Sequence, residues 1–221
     1  MDTRSRGRWL RFALIVAVAL PVGSVARAAA VGVQLGVDRS GLDGDVPPNS
    51  EYTDKYGLVA GIQAEVGLAR DLSLSLQPSF VQKRSGVLIA PSTRAGDPTE
   101  LELSFDHVSV PVVVKFAMAN GRTFVSGGVT VDFLTAATLS GLGSDRDVKS
   151  TFNSTNVGAA LGFGVVFPAG HARFTTELRL VQGLTNMNTG AAAAAAGALA
   201  PRLHSTGLQL IVGSLFPIGK R

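Results

Sequence analysis

Polar and apolar positions trade places at every second residue along most of this chain. From Gly57, the run GLVAGIQAEVG sets Leu58, Ala60, Ile62, Ala64 and Val66 against Gly61, Gln63, Glu65 and Gly67. After a short reversal at 68–71, LSLSLQPSFVQK sets Leu72, Leu74, Leu76, Pro78 and Phe80 against Ser73, Ser75, Gln77 and Ser79. A period of two predicts strands with one apolar and one polar face. The two runs, 57–67 and 72–83, exceed the ~5–6 residues usual for a soluble strand. They match the ~9–11 residues that cross a bilayer at a tilt.

The same pattern predicts six further strands, at 31–37, 101–116, 122–134, 156–167, 172–184 and 206–216. In the stretch 101–116, Val108, Val110, Val112, Val114 and Phe116 share one parity, and Leu101, Leu103 and Phe105 the other. A bulge near Asp106–His107, or a strand that starts only there, would reconcile them. Pro111 cannot donate a ladder hydrogen bond, a local cost. The connections alternate in length: long at 38–56, 84–100, 135–155 and 185–205, short at 68–71, 117–121 and 168–171. Bacterial outer-membrane barrels have short periplasmic turns and long external loops.

Eight long strands with this asymmetry predict an all-β fold, an eight-stranded antiparallel up-and-down transmembrane β-barrel. A soluble sandwich would show the same alternation; strand length, loop asymmetry and the even count favour the barrel. The apolar face of these strands carries no Asp, Glu, Lys or Arg, and the other carries Glu65, Lys83, Lys115, Asp132, Arg173, Glu177 and Arg179. Eight strands leave an interior that side chains just fill. The expectation is therefore a packed network of ion pairs; the alternative is an ion or solute path. Phe116, Phe167 and Phe216 fall at the expected periplasmic rim, and Phe80 and Phe133 toward the other.

Composition changes the picture at the N-terminus. MDTRSRGRWLR is basic, FALIVAVALPVG is apolar but too short to span a membrane as a helix, and Ala26-Arg27-Ala28 is a small-x-small site. That pattern predicts a signal peptide at 1–28 and places the barrel domain at 29–221. The whole chain has 20 basic and 16 acidic residues. Five arginines and one acid fall in the leader, so the remainder is neutral and offers no basic surface for nucleic acid. There is no cysteine, hence no disulfide framework.

Candidate chemistry is sparse. His107, His171 and His204 have no metal-ligand spacing. His107 with Ser109, or His204 with Ser205, would suit a lipid hydrolase at the outer rim, but no third residue orients the base. Gly158, Gly162 and Gly164 open no phosphate-binding loop and read as space for bulky neighbours inside the barrel. The alanine-rich loop 191–200 carries no helical face. No catalytic, cofactor-binding or metal residues are assigned.

The stretch His107-Val108-Ser109-Val110-Pro111-Val112-Val113-Val114-Lys115-Phe116 resembles the Y-L-E-I-P-L-L-L-K-Y strand of small outer-membrane barrels known as the porin family, or PorT-like proteins. His107 stands at the usual aromatic and Ser109 at the usual Glu. Arg179-Leu180-Val181-Gln182-Gly183-Leu184-Thr185-Asn186-Met187 resembles a second family motif, R-Y-x-x-G-L-T-N-I. The resemblance implies an outer-membrane β-barrel fold; with its interior filled by side chains and four long loops, the barrel is expected to be non-enzymatic, with a structural or loop-mediated role. Its expected partners are outer-membrane lipids and an extracellular ligand or protein met by loops 38–56, 84–100, 135–155 and 185–205. A narrow pore is the alternative. A lipid-modifying enzyme and a soluble periplasmic lipocalin-like binder stand further off.

Overall fold

The alternating runs form the staves of a barrel, and each stave hydrogen-bonds the next until the last meets the first. The computed structural model describes residues 29–45, 49–90, 99–118, 121–141, 143–190 and 202–218. The expected leader at 1–28 and the alanine-rich stretch 191–200 lie outside the described residues. The strands are β1 (Ala29–Gly44), β2 (Ser50–Gly67), β3 (Leu72–Leu76), β4 (Ser79–Ile89), β5 (Thr99–Ala117), β6 (Thr123–Gly141), β7 (Ser144–Asp147), β8 (Thr155–Ala169), β9 (Ala172–Gly183) and β10 (Leu203–Ile218).

Ten strands make eight staves. Strands β3 and β4 are halves of one stave, since both pair with β2 and with β5. The break falls at Gln77–Pro78, where proline has no N–H to give. The wall stays joined there: Gln77 N donates to Pro111 O, and Ile62 N to Pro78 O, each at 3.0 Å. Strand β7 pairs with β6 alone, as a hairpin at one end. Strands β1 and β10 close the cylinder, in register from Ala29↔Ile218 to Gly44↔Leu203. Every described pairing is antiparallel, so the architecture is the expected up-and-down barrel.

Two expectations are corrected. The strands run on into the four long connections: β1 continues to Gly44, β2 starts at Ser50, β4 reaches Ile89 and β5 starts at Thr99. Likewise β6 reaches Gly141 and β10 starts at Leu203. The described parts of 38–56, 84–100 and 135–155 are therefore largely hairpin arms standing above the membrane, while 185–205 gives up only 203–205 to β10. Turn-forming residues there reflect bulges and an aqueous setting rather than the end of pairing. The second correction concerns the bulge. Pairing passes from Asp106↔Ala136 to His107↔Leu134, so the extra residue is Thr135 of β6. Strand β5 is regular, and Leu101, Leu103 and Phe105 point inward like His107 and Ser109.

The faces sort as the alternation requires. Val33, Leu35, Leu58, Val129, Leu161 and Leu178 are exposed on the outside, while Glu65, Lys83, Asp132, Glu177 and Arg179 are buried within. A lipocalin-like binder would need the opposite lining. Phe80, Val108 and Phe133 share one register row; Phe116 lies eight residues further down β5. That is about 26 Å of strand, in keeping with a tilted apolar band. Exposed Phe116, Phe167, Phe174 and Phe216 mark its lower rim. Above the upper row the outside turns ionic, with Arg39–Asp54 at 3.1 Å, Arg84–Glu102 at 3.8 Å, and Lys55 against Glu100.

Candidate functional site

Inward-facing charges, most of them from staves that are not neighbours, meet in layers along the barrel axis. At the periplasmic end Glu65 of β2 accepts from Lys115 of β5 and from Arg173 of β9, both at 3.1 Å. The Lys115 ammonium also lies 5.2 Å from the centroid of the Phe124 ring, a cation–π contact. Higher up, Arg179 Nε donates to Glu177 Oε1 at 3.0 Å, and Ser126 Oγ donates to the same oxygen at 2.8 Å. The Arg179 guanidinium then donates to Gln77 Oε1 at 2.5 Å. Gln77 donates onward to Ser75 at 3.0 Å, and Gln34 donates to Ser79 at 3.0 Å.

The upper layer holds Lys83 and Asp132 at 2.7 Å. Ser109 Oγ donates to the other Asp132 oxygen at 2.6 Å, and Lys83 donates to Ser205 Oγ at 3.3 Å. The expected pairing of Glu65, Asp132 and Glu177 with Lys83, Lys115, Arg173 and Arg179 is thus what the interior contains. One member was missed. Asp38, fully buried, faces inward beside Ser40 and Gln209 with Lys83 as its nearest cation. Its parity with Gln34 was the available signal. With Asp38 the lumen carries four acids and four bases, and its formal charge is zero.

Glycines of β8 make room for this packing. A Cβ at Gly162 would lie 2.5 Å from Glu177 Oε1 and from Ser126 Oγ, and one at Gly164 would lie 2.3 Å from the Phe124 ring. This is the space for bulky neighbours that their alternation suggested.

An apolar stopper closes the extracellular end. Phe105, Leu134, Ala137 and Met187 form one buried cluster, with Leu42, Leu103, Val148 and Phe152 packed on it. Phe152 meets Phe105 edge to face at 4.8 Å. Met187 is carried by the turn after β9, and that turn is stitched down. Asn153 N donates to Met187 O at 2.7 Å, and Asn153 Nδ2 donates to Asn186 O at 2.8 Å. Asn186 Oδ1 accepts from Leu203 N at 3.0 Å and from Asn188 N at 3.1 Å. Below this stopper lies a small cavity of about 10 Å³. Outside it, an open cleft of about 720 Å³ is lined by Asp147, Lys149, Phe152, Asn153 and Thr189.

Neither serine–histidine pair is assembled. His107 is fully buried among the upper layer, both ring nitrogens lack a hydrogen-bond partner, and Ser109 is bonded to Asp132 instead. His204 and Ser205 are successive strand residues and so face opposite sides; Ser205 is engaged by Lys83. His171 sits in the β8–β9 turn. Among the described residues no group of three or more His, Asp or Glu is placed to hold a metal ion.

A family model described as outer membrane protein beta-barrel domain matches residues 17–188. The chain belongs to that family. No curated protein matches the sequence. Among solved structures, this outer membrane barrel is similar to Ail, the attachment invasion locus protein of Yersinia pestis, at 13% identity and TM-score 0.44 over 86% of this chain and 99% of that one. It is similar to OprG from Pseudomonas aeruginosa at 10% identity and TM-score 0.48 over 88% and 98%. It is similar to neisserial surface protein A at 16% identity and TM-score 0.44 over 85% and 97%.

The motif from Arg179 to Met187 has a physical reading in this outer membrane barrel. Arg179 anchors the central ion pair. Thr185 Oγ1 accepts from Val157 N at 3.0 Å and fixes the exit from β9. Asn186 ties the turn to β10, and Met187 fills the mouth. Sequence reasoning saw the motif but not the stopper, because Met187 lies outside any alternating run.

Proposed function

We propose that this outer membrane barrel is a non-conducting, non-enzymatic element of the bacterial envelope that acts through its extracellular face. The observation that carries the reading is the filled interior: three ion-pair layers with the Arg179–Gln77 bond across them, and a Met187 stopper above. An eight-stranded barrel has room for its own side chains and little else. Its working surface is then the set of hairpin arms and connections within 38–56, 84–100, 135–155 and 185–205, with the 720 Å³ cleft as one place for an extracellular ligand or protein. The porin-family, PorT-like motifs support a role of this kind. Export through a leader at 1–28 and residence in the outer membrane complete the proposal.

The absence of an enzymatic role rests on His107 being shielded from lipid and on Ser109 and Ser205 being bonded elsewhere. The charged lining favours a narrow pore as the second reading. Planar-bilayer recording separates the two. The purified barrel is expected to insert without producing discrete conductance steps; reproducible steps in wild-type protein would overturn the sealed reading.

A further inference from the structure

The small interior cavity lies between the Lys83–Asp132 and Arg179–Glu177 layers. Its wall includes Lys83, Ser109, Thr130, Asp132, Arg179 and Gln209. At about 10 Å³ it has the volume of a single water site, and such a water needs two to four polar partners. The ionic groups on the wall are already engaged. Lys83 is held by Asp132 and Ser205, Arg179 by Glu177 and Gln77, and both Asp132 oxygens by Lys83 and Ser109. The hydroxyl of Thr130 is different. The residue is 1% exposed, and its Oγ1 is buried without a hydrogen-bond partner. A buried hydroxyl left unpaired is destabilising, so the site favours any ligand that satisfies it. On the β8 side the hydroxyl faces Gly158, where a Cβ would stand 2.8 Å from Thr130 Oγ1.

We propose that this chamber is a binding site for one water molecule, hydrogen-bonded to Thr130 Oγ1 and to the Gln209 side-chain amide, with the lone pairs of Asp132 as a further acceptor. A neutral ligand fits because the chamber's cations have no unpaired role left to offer an anion. The water joins the upper ion-pair layer to the central one, so that the lumen is a continuous polar network. The Met187 stopper lies above it and the Arg179–Gln77 bond beside it, and its exchange is slowed by the side chains packed on both sides. The site stands whether or not the barrel conducts.

The test is water–protein cross-relaxation in lipid nanodiscs, read at the Gln209 side-chain amide, with gel mobility before and after heating as the folding control. Wild type and Thr130→Ser, which keeps the hydroxyl, are expected to show a cross-peak of the sign that marks a long-lived water. Thr130→Val, close in shape but without the hydroxyl, is expected to lose it. Absence of the cross-peak in folded wild type, or its persistence unchanged in folded Thr130→Val, would overturn the proposal. So would a shift of the Gln209 amide on replacing chloride by gluconate, which would reassign the site to an anion.

Discussion

Arg179 donates to Gln77 across the full width of the barrel, at 2.5 Å. Arg179 is on β9, and Gln77 lies between β3 and β4. Counting staves around the cylinder, with β3 and β4 as one and β7 set aside, the two residues are four apart in a ring of eight. They are diametrically opposite. A hydrogen bond that spans the diameter divides the lumen at that level. The same guanidinium holds Glu177, whose carboxylate also takes Ser126. Wall, width and charge balance are thus set by one side chain, and this is why the lumen reads as structure rather than channel.

Arg179→Met removes the cation and leaves Glu177 buried and unpaired. Removing one partner of a buried pair costs about 3–5 kcal/mol, whereas replacing both with apolar groups of similar volume is often neutral. Arg179→Met is expected to lower stability by about that amount, and the double change Arg179→Met with Glu177→Leu to recover most of it. Urea titration of the refolded barrel in vesicles measures both. Equal losses in the single and double variants would show that Glu177 does not depend on Arg179.

Val129 is half-exposed on the outer face of β6 and pairs with Val112, midway down the apolar band. An arginine on the lipid face near the midplane costs about 2–4 kcal/mol. Val129→Arg is expected to destabilise the vesicle-inserted barrel by that amount, and Arg39→Ala, outside the band, to change stability far less. Comparable values at the two positions would contradict a lipid boundary between them.

His107 is fully buried and neither ring nitrogen has a hydrogen-bond partner. Replacing a buried, unsatisfied polar group by an apolar one of similar shape is close to neutral or stabilising. His107→Phe places a ring beside Phe105, whose own ring centroid lies 6.3 Å from that of His107. The variant is expected to unfold at the same or higher urea concentration than wild type, and to leave cellular lipid composition unchanged. A changed lipid profile would revive the hydrolase reading.

Much of this was written in the alternation, and the failures have local causes. Leu58 to Val66 and Leu72 to Phe80 gave their faces because a period of two has only one solution when one side meets lipid. Glu65, Asp132 and Glu177 followed, since a charge of inward parity has no other place to go. Asp38 was lost because β1 seemed to end at Val37, where outward Arg39 breaks the apolar stripe. Arg39 marks the edge of the bilayer, not of the strand. The parity change at Phe105 was legible as a bulge but not as a bulge in the partner: the extra residue is Thr135, on β6. A single strand's pattern cannot say which of two strands carries the insertion. The stopper was invisible for a related reason. Met187 reaches the mouth by tertiary stitching through Asn153 and Asn186, and no periodicity records that.

The stopper carries the last prediction. Met187 is 2% exposed and packs with Phe105, Leu134 and Ala137. Truncating a buried methionine to alanine costs about 2–5 kcal/mol, with the larger values where the surroundings cannot collapse. The ends of this loop are pinned by Asn153 N to Met187 O at 2.7 Å and Met187 N to Leu203 O at 2.8 Å. Collapse is therefore restricted, and Met187→Ala is expected to lose stability in the upper half of that range, while Met187→Leu loses little. Met187→Ala should still pass no current in a planar bilayer, because the Arg179–Gln77 bond lies below the opened mouth. Current through Met187→Ala but not wild type would make the stopper the sole barrier, and would show that the ion-pair layers beneath it are permeable once exposed to water.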